Sequence, residues 1–198
     1  MRIGWMVVAG LMAGRFAAAA DVTVCFTSRG TALTSAATDT ATLAFRRAGV
    51  ALEWKQGSVR PSGMESTWLP VELVDTTPAG RLPGELAVSY PYAPCSKGIT
   101  VFYDRLRSLA RGPSQESALL AYVLVHEIAH VIQGVARHSN TGIMKDHWNE
   151  QDRIAIFQRR LAFEQRDVQL LRQGLARGRC EAPSLKAQFS PGIWFHPE

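Results

Sequence analysis

Val22, Val24 and Phe26 alternate with Thr23, Cys25 and Thr27, a period of two that predicts a strand. Residues 31–48 are rich in Ala and Thr but carry Leu33, Ala36, Ala37, Leu43 and Ala44. They close on Arg46-Arg47 and Gly49, so they read as a helix with a C-terminal stop. Residues 50–54 predict a second strand, 56–67 a polar loop, and 69–74 a third strand. A turn over 78–84 precedes a short strand at 86–90; Pro91, Pro94 and Gly98 then break the chain before a fifth strand at 99–103.

Beyond Gly112-Pro113 the period changes. Ser114 reads as a helix N-cap, and Leu119, Leu120, Val123, Leu124, Ile128 and Val131 recur at helical spacing up to Gly134. Residues 140–148 read as irregular. Asn149 opens what reads as a second long helix, with Ile154, Phe157, Leu161, Val168, Leu171 and Leu175 along it and Gly178 at its end. Residues 181–198 read as a Pro-containing, irregular tail. The fold class is therefore α+β: a short, mixed, twisted sheet of four to five strands with an N-terminal helix, a central helix and a long C-terminal helix. No repeat or linker divides the chain, so residues 21–198 are expected to form one domain.

Residues 1–20 are set apart. Met1-Arg2, an apolar run from Ile3 to Ala13, and Ala17 to Ala20 ahead of Asp21 have the layout of a cleaved export signal. The apolar run is too short to span a bilayer. The mature protein is expected to be secreted or periplasmic, without stable membrane insertion, and a monomer. Net charge is +5, but two of the basic residues, Arg2 and Arg15, fall in the leader. The others are interleaved with acids, so no basic face of the kind that binds nucleic acid is expected. Hydrophobic residues make up 46% of the 198, enough for a packed core, which excludes wholesale disorder. Cys25, Cys95 and Cys180 are too widely spaced for a metal site; one disulfide and one remaining thiol are expected outside the cytoplasm, with the pairing open.

The chemistry is concentrated in His126-Glu127-Ile128-Ala129-His130, inside the predicted central helix. Residues four apart lie one turn up on the same side of a helix, so both imidazoles can share one ion, and Zn²⁺ suits nitrogen ligands. Glu127, beside the first ligand, can take a proton from a water at the open coordination position. Val123, Leu124, Ile128 and Val131 would hold the opposite face on the sheet, leaving the polar trio as the exposed exception. Gly134, His138-Ser139 and the turn Thr141-Gly142-Ile143-Met144 follow.

The stretch from His126 to Met144 resembles the metzincin clan of zinc peptidases. It is also similar to small secreted bacterial proteins that read HEIGH, a Gly, SHS, and GIM followed by a basic residue and Trp, matched here by Lys145 and Trp148. The resemblance implies a metzincin-like fold, Zn²⁺ held by His126, His130 and His138, Glu127 as general base, and Met144 as the Met-turn residue. It implies a zinc metalloendopeptidase acting on peptide or protein substrates, which can add as an extended strand to a sheet edge. The match departs from the common pattern in having three residues before Gly134 and seven between His130 and His138, and no Tyr just after Met144. Seven residues can span well over ~20 Å, so reach does not exclude His138.

Glu150, twenty residues after His130, is a rival third ligand on thermolysin-like spacing. Ile154 stands where that motif wants Asp, and Asn149, Glu150 and Asp152 also make a capped helix start; His138 is preferred. A zinc-binding interaction protein without turnover, and a metal-free structural protein, are the readings of other kinds. Trp148 is expected to pack beneath the site, residues 102–105 to border the cleft, and His147 is given no role.

Overall fold

The computed structural model describes residues 20–27, 32–57, 67–93, 95–178 and 194–195; residues 1–19 of the expected export signal and most of the expected tail lie outside them. Strands β1 (Val22–Phe26), β2 (Leu52–Gln56) and β3 (Thr67–Val74) run parallel, with β1 in the middle. β5 (Ile99–Phe102) continues the parallel set, and β4 (Ala87–Ser89) pairs antiparallel with it at the edge, giving the order β2-β1-β3-β5-β4. The sheet is thus mixed and five-stranded, as the sequence pattern leads one to expect. All five residues of β1 are buried despite their alternation, because a central parallel strand is covered on both faces.

Helix α1 (Ala32–Arg47) follows β1, and α3 (Pro113–Gln133) packs against it. Ala37, Ala41, Phe45, Leu120, Leu124 and Ile128 join the sheet's Val22, Val24, Leu69 and Val101 in one core. α3 is the centre of the molecule: every residue from Ser117 to Gln133 is buried. Its first turn begins at Gly112 as N-cap with Pro113 inside, two residues before the expected N-cap Ser114, since Pro costs nothing where no intrahelical N–H bond exists. It ends at Gly134 in the left-handed region (φ 64°), whose N–H returns to the His130 carbonyl.

Residues 103–105 do not extend the fifth strand. They open a short helix, α2 (Tyr103–Leu109), held by Asp104, which accepts bonds from the Thr77 N–H and hydroxyl, and by Tyr103, which donates to Glu116.

The expected long helix from Asn149 is two helices, α4 (Glu150–Phe157) and α5 (Gln165–Ala176). The apolar spacing runs through the break, but tertiary bonds capture the backbone there. Tyr122 donates its hydroxyl to the Leu161 carbonyl, the Ile143 N–H bonds the Ala162 carbonyl, and Arg159 takes a positive φ of 55°. Asn149 caps α4 in a reciprocal box with Asp152, and Asp167 closes the corresponding box at the start of α5. Within the expected tail, β7 (Trp194–Phe195) pairs in parallel with β6 (His147–Trp148). Cys25 is a buried free thiol and Cys95 is disulfide-bonded; Cys180 lies outside the described residues. Among the described residues no helix is long and apolar enough to cross a membrane.

Candidate metal centre

His126, Glu127 and His130 are fully buried rather than exposed. After Gly134 the chain reverses and lays residues 135–144 over the C-terminal half of α3, and that loop supplies both the cover and the partners. His126 Nδ1 lies 2.8 Å from the Ile143 carbonyl oxygen, and His130 Nδ1 lies 3.0 Å from that of Val135. A carbonyl only accepts, so each Nδ1 carries the ring proton and each Nε2 turns a lone pair inward.

The Nε2 atoms of His126 and His130 are 2.9 Å apart, and His138 brings its own Nε2 to 3.2 Å from that of His130. Among the described residues these three histidines form a cluster whose ligand atoms all lie within 4.8 Å of one another. The two inward lone pairs of His126 and His130 repel at this separation unless a cation sits between them. Nitrogens bound to one tetrahedral zinc at ~2.0–2.1 Å stand about 3.3 Å apart, so the donor set fits Zn²⁺.

Burial pushes all three imidazoles below the usual histidine range; neighbouring histidines add to the shift at His126 and His130, whereas Asp146 opposes it at His138. His130 is lowered to about 3, first by burial and then by His138. His126 is lowered well below its ordinary value by burial and then by His130; His138, only half-buried, is lowered by the same first cause. At neutral pH the rings are therefore uncharged and ready to ligate.

The remaining expected residues fall around this point. Met144 is fully buried, and its carbonyl accepts the Ser139 N–H at 2.7 Å, closing the turn that carries His138. Gly142 has φ +75°, and a Cβ there would stand 2.5 Å from the Ala162 carbonyl oxygen, so the turn requires glycine. Trp148 is buried with its ring edge-on to His126, centroids 5.9 Å apart, beneath the cluster as expected. Glu150 is outside it: its side chain is 60% exposed, in the first turn of α4, and pairs with Arg153. The thermolysin-like alternative is overturned, and the helix-start reading of Asn149 to Asp152 is the one the structure bears out. His147 is exposed and pairs with Asp146 at 3.0 Å.

Two residues that sequence reasoning passed over brace the site. Ser89, the last residue of edge strand β4, donates its hydroxyl to Glu127 Oε2 at 2.5 Å, and both groups are fully buried. Asp167 is also fully buried, and its Oδ1 accepts Ser139 Oγ at 2.6 Å and the Arg137 guanidinium at 3.1 Å. Its Oδ2 accepts the Glu164 N–H at 3.1 Å. One carboxylate thus ties both neighbours of His138 to α5. The signal available in sequence was Asp167 three residues after Glu164, a capping-box spacing hidden inside an apparently continuous helical period.

Comparison with solved structures finds the same fold in archaemetzincin from Methanopyrus kandleri, seen by crystallography. The match has a TM-score of 0.54 and 14% identity, and covers 80% of this chain and 96% of that one. This chain therefore shares its α+β fold with that protein. No protein-family model matches the sequence, and no curated protein matches it.

Proposed function

We propose that the protein is a secreted, zinc-dependent peptidase of metzincin-like type. The observation that carries this reading is the convergence of three neutral imidazole nitrogens at one point, with a buried carboxylate, Glu127, next in sequence to the first of them. His126, His130 and His138 are the ligands, and three protein ligands leave a fourth position open for water. When bound, zinc supplies Lewis acidity toward a water and toward the scissile carbonyl. Glu127 takes the water's proton and hands it to the leaving amine. Ser89 holds the Glu127 carboxylate by a hydrogen bond from β4, so base and edge strand are fixed relative to each other. An extended substrate pairs with the outer edge of β4, the last strand in the sheet order. The likeness to archaemetzincin supports the same class, and the leader-like residues 1–20 support export.

Glu127→Gln tests the proposal. The variant is expected to keep stoichiometric zinc and lose hydrolysis of an unfolded protein substrate by about 10²–10⁴-fold. Stoichiometric zinc in a parent chain that hydrolyses nothing would favour the interaction protein; absence of zinc from both would reject the metal centre.

A further inference from the structure

A cavity of about 440 Å³ lies behind the Met144 turn, between α1 and the connection joining α4 to α5. Leu43, Ala44, Ile143, Leu161, Phe163 and Val168 supply its apolar walls, and Leu43 is left 46% exposed at the rim. That volume lies within the range of small-molecule sites. Its hydroxyl groups are already engaged: the Tyr122 hydroxyl donates to the Leu161 carbonyl, and Thr40 donates to the Ala36 carbonyl. The charge around it is asymmetric. Arg47 and Arg159 both border the cavity, and both act on the Tyr122 hydroxyl, offsetting the upward push of its burial. Neither guanidinium forms an ion pair or hydrogen bond among the described residues. Arg159 is, among the described residues, the one non-glycine residue with positive φ, a conformation that costs free energy and here sets an arginine on the rim of the cavity. The acid on the rim, Asp39, lies two turns from Arg47 along α1, roughly 12 Å away.

We propose that this cavity binds an aliphatic carboxylate, its headgroup between Arg47 and Arg159 and its chain along Leu43, Ala44 and Phe163 over Ile143. An anion matches the unpaired guanidinium pair, and a hydrocarbon chain suits walls that offer no free hydrogen-bond partner. A peptide would bury backbone N–H and C=O groups there without partners, which is costly. At about 1.25 Å per carbon along an extended chain with C–C bonds of ~1.5 Å, the 12 Å between the charged ends takes about ten carbons. The site is separate from the histidine cluster and does not depend on the peptidase reading. It does share Ile143, whose side chain lines the cavity while its carbonyl accepts from His126.

Isothermal titration of the whole protein with hexanoate, octanoate and decanoate, below the concentrations at which they micellise, tests the proposal. The expected result is one saturable site whose affinity rises about fourfold per methylene buried. Decanol is expected to bind at least tenfold more weakly than decanoate, as is decanoate to the double variant Arg47→Gln/Arg159→Gln, because charge-assisted bonds are lost. These arginines are exposed, so the fold is retained, and Ala44→Phe, which fills the cavity, is expected to abolish binding. Absence of saturation in the parent, equal binding of decanol and decanoate, or indifference to both variants overturns the proposal. So does a trileucine peptide that displaces decanoate at equal concentration.

Discussion

Asp167→Asn is the perturbation that tests most directly how the third histidine is held. The substitution keeps the shape of the side chain and an acceptor for the Glu164 N–H. It replaces the charge, and an amide NH₂ turned toward Oδ1 meets two donors, Ser139 Oγ at 2.6 Å and the Arg137 guanidinium at 3.1 Å. A hydrogen bond to a charged group contributes about 1.5–3 kcal/mol. The Arg137 side chain is 43% exposed, so its share is screened to about 0–1 kcal/mol. The Ser139 bond joins two buried groups and carries most of the loss, for a total of about 2–4 kcal/mol in the chelated protein. Because Ser139 follows His138 directly, part of that cost appears as weaker zinc binding, about 10–100-fold, the usual effect of removing the support behind a ligand. Competition with a chromogenic chelator at neutral pH reads the affinity, and urea unfolding of the chelated protein reads the stability. Ser139→Ala, which leaves the Asp167 charge with Arg137, should lose less, and the double variant should be less than additive. If Asp167→Asn binds zinc within threefold of the parent while losing the full stability increment, the carboxylate is only a brace for α5 and the reasoning fails.

Ser89→Ala removes the donor that orients Glu127; turnover is expected to fall about tenfold or more with zinc content unchanged, and equal turnover in steady-state assays would refute the assigned role. In the chelated protein the three histidines resist protonation, His130 down to about 3. The unfolded chain therefore binds more protons below the ordinary histidine value of about 6.5, and stability falls as pH drops from there toward about 3, while above it these groups exert no pull. For His130 alone the loss is about 2 kcal/mol by pH 5; urea midpoints at pH 7.5 and pH 5 measure it, and a His130→Phe variant with the same pH dependence would contradict it. Gly174→Ala places a Cβ 1.8 Å from the Ile132 carbonyl oxygen, a backbone atom of α3 that cannot swing aside. It is expected to cost at least ~1–3 kcal/mol by thermal unfolding, and an unchanged midpoint would show that α5 does not pack on α3 this closely.

The strands, α1 and α3 were legible because their apolar residues recur at strand or helix period and Gly and Pro mark the breaks between them. The same reasoning placed His126 and His130 together, since four residues make about one turn and nothing nonlocal is needed. His138 came from a resemblance, and the structure brings it in through bonds that spacing cannot reveal: Val135 to His130, Ile143 to His126, and Ser139 to both Met144 and Asp167. The division of the expected C-terminal helix was hidden for a related reason. Leu161 keeps the apolar period, but its carbonyl is taken by Tyr122, thirty-nine residues earlier. The burial of the polar trio was missed because amphipathic reasoning assigns one face of a helix to solvent, whereas α3 is enclosed all round by the sheet, the other four helices and its own return loop.

The two extra residues in the loop, relative to the common metzincin spacing, bear on how the centre works. Seven residues between His130 and His138 leave the third histidine free to reach many positions, so covalent reach alone does not place it. Here Gly134 turns the chain, and residues 135–144 are held by bonds at each end: the Val135 and Ile143 carbonyls to the two helical histidines, and Ser139 to Asp167. Those carbonyls do two things at once, anchoring the loop and turning the Nε2 lone pairs of His126 and His130 toward each other at 2.9 Å, with His138 Nε2 at 3.2 Å from that of His130. Packing of the loop is thus coupled to a repulsion that only a cation relieves, so metal affinity and loop order are expected to rise and fall together. That coupling is why a carboxylate on α5, with no atom in the cluster itself, should be felt in the zinc dissociation constant.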